Sequence, residues 1–337
     1  MREKTRELLK TEHYTNLFSM DKDNIVEMLK FDEKDAEELF RKAREVRSKY
    51  MEKFVVRGVV EASNYCRAKC LYCSMNAGNE KLPRYRMSAD EIVKSAWKGY
   101  NHDIKMILLQ TGEDPLFLDY MIPAIKRIKS EMPDAEIICC NGERTEKEYQ
   151  ALKDAGADKY ILKFETSNPE LYKKYRPHST LEKRLNCAHL IKKVGLGLGT
   201  GFIIGLPGQT DEDIANDILM IKNLQPTPMA SACPFIPNKG TELENEKAGD
   251  LFYSFKVVGI SRLINPSVCM PACSPYEYLK KGGQIDGTGI GCTSVTIRLT
   301  PDKYRDLYQL YTNDRITINL DMAKEVVEAA HANWENF

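Results

Sequence analysis

Three cysteines at the spacing CxxxCxxC, Cys66, Cys70 and Cys73, are the residues of this sequence with the clearest capacity for chemistry. Cysteine thiolates bind iron–sulfur clusters, and a cubane cluster has four irons to ligate. Three cysteines therefore leave one iron without a protein ligand, and an open iron can bind and activate a small molecule. The triplet predicts a [4Fe–4S] cluster with one position free for such a molecule.

Two other uses of the triplet stay open. A structural zinc site would pair CxxC with a second CxxC or with histidines at ligand spacing, whereas the next cysteines, Cys139 and Cys140, are adjacent to each other. A cluster that only transfers electrons would need a fourth ligand from a later cysteine. Candidates for that ligand are Cys233, Cys269, Cys273 and Cys292.

The surrounding pattern of strands and helices positions the triplet. From residue 55 onward, short β-rich runs alternate with amphipathic segments, which indicates repeated βαβ units around a parallel sheet. The triplet follows the first strand and so lies at the carboxyl ends of the strands, where active sites of barrels form. The expected strands are 55–61, 106–110, 136–139, 159–165, 199–205 and 229–234, with weaker candidates at 267–270 and 295–297. The expected helices are 89–100, 118–131, 146–154, 181–194 and 212–222.

This number of strands favours an α/β fold, a (β/α)8 barrel of the TIM type that is full or nearly full, over an open doubly wound sheet. An incomplete barrel of six strands is the alternative. The pattern of residues 1–50 predicts a helical extension of two short helices, one of them starting near Asp32. Residues 51–337 are expected to form the barrel domain. No GxGxxG or GxxxxGK[ST] motif is present, so the usual dinucleotide and P-loop sites are unsupported.

The composition argues against several classes of function. Lys+Arg and Asp+Glu are equal at 49 each in 337 residues, which gives no support to a nucleic-acid or anionic-membrane partner. No apolar run approaches the roughly 20 residues of a membrane span, and the charged N-terminus is unlike a signal peptide. The 10 cysteines then indicate reduced thiols and metal ligation in a cytoplasmic protein.

The triplet, with Tyr72 before its last cysteine, resembles the signature of the radical S-adenosylmethionine (SAM) superfamily. The chain is further similar to the subgroup that contains the [FeFe]-hydrogenase maturase HydE, methylornithine synthase (PylB) and HmdB, and most similar to the HydE pattern. The resemblance covers about residues 50–312 and implies a full barrel with SAM at its top. The segments that carry it are 84–87, 109–115, 165–169, 184–187, 205–210, 234–237 and 304–311.

The resemblance implies roles for residues at the top of the barrel. Thr111, Gly112 and Glu113 match the loop that binds the SAM amino group. Glu165 matches a residue that faces the SAM ribose or methionine portion, and Arg184 one that pairs with the SAM carboxylate. Residues 201–209 resemble the segment near the adenine. The implied cofactor-binding residues are Tyr72, Gln110, Thr111, Gly112, Glu113, Glu165, Arg184, Gly201, Gly205 and Leu206.

Three positions depart from the HydE pattern. Lys163 stands where HydE-type proteins carry arginine, and lysine does not replace a planar, bidentate anion clamp. Cys233 and Cys273 stand where HydE has a glycine-rich and a paired-threonine segment. We expect these three residues to serve the reaction, although a buried cysteine is commonly just a small apolar side chain. The resemblance thus implies a retained SAM site beside a different substrate pocket.

These patterns predict a radical SAM enzyme acting on a small molecule, a cofactor precursor or an amino acid, with ferredoxin or flavodoxin as external electron donor. Hydrogenase metallocofactor biosynthesis is the expected setting, HydE-like or HmdB-like, the latter implying methyl transfer to a precursor. A PylB-like amino-acid mutase is one alternative, and an iron–sulfur carrier or scaffold without turnover is another. No nucleic-acid or membrane partner is expected.

Overall fold

Parallel strands form a curved sheet at the centre of the structure, a computed structural model that describes residues 2–11, 14–51, 53–226, 229–310, 318–330 and 334–335. The strands are β1 (Phe54–Ser63), β2 (Met106–Thr111), β3 (Glu136–Cys140), β4 (Lys159–Ile161), β5 (Gly197–Ile204), β6 (Ala230–Pro234), β7 (Ser294–Arg298) and β8 (Trp334–Glu335). Neighbours run in the order β6-β5-β4-β3-β2-β1-β7, and β8 pairs with the start of β1. All these pairs are parallel, as βαβ repeats predict.

Residues 269–272 join the two edges of this sheet. Met229, just before β6, forms a parallel bridge with Cys269, and Pro271 forms one with Ser294 of β7. Backbone hydrogen bonds of 2.7 to 3.0 Å accompany both bridges. The expected (β/α)8 barrel is therefore confirmed, with its eighth position filled by a short segment in place of a regular strand, and the six-stranded alternative is wrong.

Helices precede the barrel over most of the first 50 residues. The prediction of two short helices was wrong, because four are present in the described part of this region and the last of them has 18 residues. The predicted start near Asp32 is confirmed, since its side chain accepts a hydrogen bond from Asp35 N (3.0 Å) and caps that helix. The four helices are α1 (Arg2–Lys10), α2 (Tyr14–Phe18), α3 (Lys22–Leu29) and α4 (Glu33–Tyr50).

Further helices cover the outside of the barrel. They are α5 (Ala89–Tyr100), α6 (Phe117–Glu131), α7 (Glu146–Ala155), α8 (Pro169–Tyr175), α9 (Leu181–Lys193), α10 (Asp211–Leu224), α11 (Leu251–Ile264), α12 (Ser274–Leu279), α13 (Gly283–Thr288), α14 (Asp302–Arg305) and α15 (Leu320–Ala329). Five of them, α5, α6, α7, α9 and α10, match predicted helices to within two residues. None of the helices in the described ranges is long and apolar enough to cross a membrane.

Helix α11 was not predicted because it has no polar face. Every side chain from Ser254 to Ile264 is buried, so the sequence shows no amphipathic period there. The helix lies between the barrel and α4. The Lys256 ammonium is buried in this contact, where it donates to Leu29 O (2.5 Å) and Phe31 O (2.9 Å). Lys256 is thus a buried polar link between the N-terminal helices and the barrel.

Replacing this lysine with methionine should weaken that connection. Lys256→Met keeps an apolar stem but leaves two buried carbonyl groups without their donor, which should lower the free energy of unfolding by about 1–3 kcal/mol. Lys222→Met is the matched control, because the exposed Lys222 ammonium also donates to a carbonyl of the N-terminal helices, Phe18 O (2.7 Å). Denaturant unfolding of both variants is the measurement, and equal losses would contradict the role of burial.

Candidate active site

The three cysteines of the triplet lie on the loop after β1 and face a cavity at the carboxyl ends of the strands. This cavity, called the top cavity below, has a volume of about 190 Å³. Lining residues at or just after the ends of β2 to β6 are 110–113, 140, 142, 161–163, 165, 203, 233–236 and 238. The triplet therefore occupies the position in the barrel that the sequence predicted.

Arg84 fixes the conformation of the triplet loop. Its guanidinium donates hydrogen bonds to four backbone carbonyls of this loop region. The acceptors are the oxygens of Asn64 (2.6 Å), Met75 (2.8 Å), Asn76 (2.8 Å) and Asn79 (3.1 Å). Because the guanidinium is a rigid planar fork, these bonds hold both ends of the loop in one arrangement.

The sulfur atoms of the triplet receive hydrogen bonds from the protein. Glu113 N donates to Cys66 Sγ (3.3 Å), and the Arg176 guanidinium donates to Cys70 Sγ (3.1 Å). Burial raises the pKa of the Cys70 thiol to about 11. Thiolates at these positions therefore need a bound cation to stabilise them, and the irons of a cluster would provide it.

The donor set fits a cubane cluster better than a single ion. In the described parts of the chain, no three His, Cys, Asp or Glu side chains converge on one metal position. A structural zinc ion needs four ligands around one point, so the zinc alternative lacks its geometry. A cubane takes one thiolate on each of three irons and tolerates separated sulfurs, and hydrogen bonds to sulfur are typical of its surroundings.

A network of buried charges lies beside the triplet. The Arg176 guanidinium lies 3.3 Å from Glu113 Oε1 and 3.5 Å from Glu143 Oε1. The Arg184 guanidinium lies 3.6 Å from Glu113 Oε1, 3.4 Å from Glu143 Oε1 and 3.7 Å from Glu165 Oε1. These contacts are longer than bidentate pairs, so each guanidinium is shared among several carboxylates.

The network balances positive and negative charge. Burial would raise the pKa of the Glu143 carboxyl, but Arg184 and Arg176 outweigh burial and hold the pKa below its ordinary value. Lys163 adds a third cation, with its ammonium 3.4 Å from Glu165 Oε2. A zwitterionic ligand in the top cavity finds partners for both its ammonium and its carboxylate here.

Glu165 has a strained backbone that directs its side chain. Its φ angle is +68°, in the left-handed region that residues other than glycine rarely adopt. Strand β5 holds this conformation, since Glu165 N donates to Gly201 O (3.2 Å) and Ile203 N donates to Glu165 O (2.9 Å). Strain of this kind concentrates at functional sites, which agrees with the predicted importance of Glu165.

Most of the residues predicted from the sequence line the top cavity. They are Cys66, Cys70, Tyr72, Cys73, Gln110, Thr111, Gly112, Glu113, Lys163, Glu165, Arg184 and Cys233. Cys273 lies behind Cys233, and the two sulfurs are 2.8 Å apart.

Three of the predicted cofactor-binding residues do not line the top cavity. Leu206 is buried in an apolar cluster, and Gly205 is exposed on the loop after β5. At Gly201, a Cβ would lie 2.0 Å from Ser231 O of β6. That glycine is therefore required by strand pairing. A contact of these three residues with the cofactor stays a prediction.

Arg176 and Glu143 belong to the site but were not predicted from the sequence. Glu143 follows the third strand, and the rule that strand ends carry the site could have found it. Arg176 follows the short helix α8, where no motif marks it. Tyr308 lines the top cavity, and its hydroxyl has no hydrogen-bond partner among the described residues. Tyr311, the end of the last matching segment, lies outside the described residues.

Comparison with known proteins agrees with the site. The family model of the radical SAM superfamily matches residues 60–221. The chain is 38% identical over 289 residues to the [FeFe] hydrogenase maturase subunit HydE of Thermotoga maritima, with 85% of this chain and 82% of that protein covered. The chain therefore belongs to the radical SAM superfamily and is an enzyme of that class, whose members use a [4Fe–4S] cluster and SAM.

Within the superfamily, the similarities point to the HydE and PylB subgroup. The chain is 27% identical over 302 residues to 3-methylornithine synthase of Methanosarcina acetivorans, covering 88% of this chain and 85% of that protein. The crystal structure of methylornithine synthase (PylB) superimposes with a TM-score of 0.81 at 23% identity, covering 99% of this chain and 97% of that chain. The maturase HydG superimposes with a TM-score of 0.83 at 19% identity, covering 97% and 75%. Both superpositions establish the fold.

Proposed function

We propose that this enzyme cleaves SAM reductively and applies the resulting radical to a small molecule inside the barrel. The observation that carries the proposal is that the three cysteines and the buried charge network line the same top cavity. When bound, the cluster supplies an electron to SAM, whose C–S bond breaks to give methionine and a 5′-deoxyadenosyl radical. An external donor of the ferredoxin or flavodoxin class would provide that electron.

The charged side chains would hold the amino-acid end of SAM. Glu113, reached by both Arg176 and Arg184, would accept from the SAM ammonium together with the backbone of Thr111 and Gly112. Arg184 would bind the carboxylate, because its shared contacts of 3.4 to 3.7 Å leave it able to turn toward a stronger anion. Glu165 would face the ribose or the methionine portion. The residues Cys66, Cys70 and Cys73 would ligate three of the four irons.

Apolar residues would protect the radical. The side chains of Ile203, Phe235, Ile236 and Leu162 form part of the cavity wall and are buried. An apolar wall excludes water and other proton donors from the neighbourhood of a reactive intermediate. The substrate would then lie deeper in the barrel, between this wall and Lys163.

We infer that the reaction belongs to hydrogenase cofactor maturation of the HydE type. The support is the 38% identity with HydE over most of both chains. The substrate would be a cofactor precursor that differs from that of HydE, because Lys163 and Cys233, two of the departures from the HydE pattern, line the cavity. Methyl transfer of the HmdB type has no specific support in the site.

Anaerobic turnover tests this function. Protein reconstituted with iron and sulfide, then given SAM and dithionite, should release 5′-deoxyadenosine, measured by chromatography. Cys70→Ala should lose cluster iron and reduce the product below detection, because one of three ligands is gone. Cys187→Ala is the matched control, since Cys187 is equally buried but lies on α9 away from the top cavity. A stable cluster without any 5′-deoxyadenosine would favour the carrier or scaffold alternative.

A further inference from the structure

Two cysteines that the proposed function does not use stand side by side on the barrel wall. The bridge between Met229 and Cys269 sets the register of β6 against the closing segment. Four residues further along each segment come Cys233 and Cys273, so they occupy neighbouring positions. Adjacent strands are about 4.8 Å apart, which lies inside the range of Cα separations that a disulfide spans.

The two thiols differ in what they face. Their sulfurs are 2.8 Å apart and both residues are 7% exposed. Both cysteines belong to an apolar cluster with Val258 and Tyr276, but only Cys233 of the two lines the top cavity. A molecule in the cavity therefore reaches Cys233 first, and Cys233 reaches Cys273.

The surroundings of the pair favour Cys233 as the nucleophile, since it lines the cavity and its thiolate is stabilised by neighbouring groups. The hydrogen bond shared with Cys273 lowers the pKa of the Cys233 thiol, burial opposes that effect, and the Lys163 ammonium lowers the pKa further. The same hydrogen bond and burial raise the pKa of Cys273. One thiolate facing the cavity and one thiol behind it is the arrangement of an attacking and a resolving cysteine.

We propose that Cys233 and Cys273 form a thiol-exchange site for a small-molecule disulfide in the top cavity. The Cys233 thiolate attacks one sulfur of the disulfide, whose S–S bond breaks and releases one thiolate, leaving a mixed disulfide on Cys233. Cys273 gives its proton to the released thiolate and attacks Cys233 Sγ, displacing the second thiolate. The ligand gains two electrons, and the two cysteines lose two electrons as their disulfide forms.

A metal site made by the same pair fits the geometry less well. Only Cys233 of the two lines the cavity, so a metal bound there would have one thiolate from the pair. In the described ranges, no third His, Cys, Asp or Glu completes a set of ligands. The exchange site goes beyond the proposed function, since it needs no SAM cleavage and its test measures none.

The test uses the reconstituted holoenzyme under anaerobic conditions with one equivalent of 2,2′-dithiodipyridine. Attack followed by resolution releases two pyridine-2-thiones for each reagent molecule, and alkylation with peptide mapping should then find a disulfide between Cys233 and Cys273. Cys273→Ser should halve the thione yield and trap an adduct on Cys233. Cys140→Ser is the control, because Cys140 also lines the cavity, and it should keep the yield of two.

The result on the unmodified enzyme decides the proposal even if a variant folds poorly. A lasting adduct on Cys233 with one thione per reagent would overturn it, because Cys273 would then not resolve. Modification of other cysteines while Cys233 stays free would also overturn it. So would stoichiometric Fe(II) binding that Cys233→Ser and Cys273→Ser both abolish, since the pair would then be a metal site.

Discussion

Arg176→Ala should be among the most damaging single substitutions in this enzyme. The guanidinium donates to Cys70 Sγ (3.1 Å) and to the Tyr72 hydroxyl (3.2 Å), and it pairs with Glu113 and Glu143. Its loss leaves two buried carboxylates with one cation fewer, which should lower the free energy of unfolding by about 3–5 kcal/mol. Anaerobic denaturant unfolding and iron analysis of the reconstituted protein are the measurements, and both values should fall.

Arg67→Ala provides the comparison. Arg67 pairs with the same carboxylate, with 3.7 Å between its Nε and Glu113 Oε2, but its side chain is 51% exposed. Water screens an exposed pair, so the loss should stay below about 1 kcal/mol. If the two variants lost equal stability, the burial of Arg176 would not be what makes its contacts strong.

Gly112→Ala should displace the triplet loop. A Cβ at this position would lie 2.3 Å from Tyr65 O and 2.8 Å from Cys66 Cβ. Both atoms belong to the backbone or its first side-chain atom, so neither can move without shifting Cys66. We expect a loss of about 1–3 kcal/mol from the overpacking and a clear fall in cluster iron, read from the iron-to-protein ratio after reconstitution.

Gly78→Ala controls for the added methyl group. Gly78 is an exposed residue shortly after the triplet, and the nearest atom to its Cβ would be the end of a flexible side chain, Asn76 Oδ1, at 3.1 Å. Its iron-to-protein ratio should match that of the unmodified enzyme. Full iron content in Gly112→Ala would mean that the loop accommodates the methyl group after all.

The barrel was predictable from the sequence because its buried strands are rich in apolar residues. All ten residues of β1 are buried. Its apolar pairs Val55–Val56 and Val59–Val60 predict a buried strand, although the buried Arg57 and Glu61 interrupt the run. The weaker strand candidate at 267–270 only overlaps the closing segment at 269–272, which makes isolated bridges and no regular strand. The start of α4 carried a readable cap at Asp32, whereas α11 carried no periodic signal at all.

The site was predictable where a motif or a strand end marked it. The triplet and Glu165 combine both signals. Arg176 had neither, since its role depends on α8 bringing it over Cys70, which is 106 positions away in sequence. Contacts of that range follow from how helices sit on the barrel, and spacing along the chain does not encode them.

The seam formed by residues 269–272 gives the barrel a weak line along one side. Six pairs of residues join β1 to β2, with one register shift between Glu61 and Ser63, whereas the seam has two separate bridges. Local opening of a protein follows its least stable contacts, so we expect the wall that holds Cys273 to open more readily than the pairing of β1 with β2. A disulfide between Cys233 and Cys273 would link β6 to the closing segment across the seam. Oxidation of the pair would therefore hold this side of the barrel closed and would also consume the two thiols.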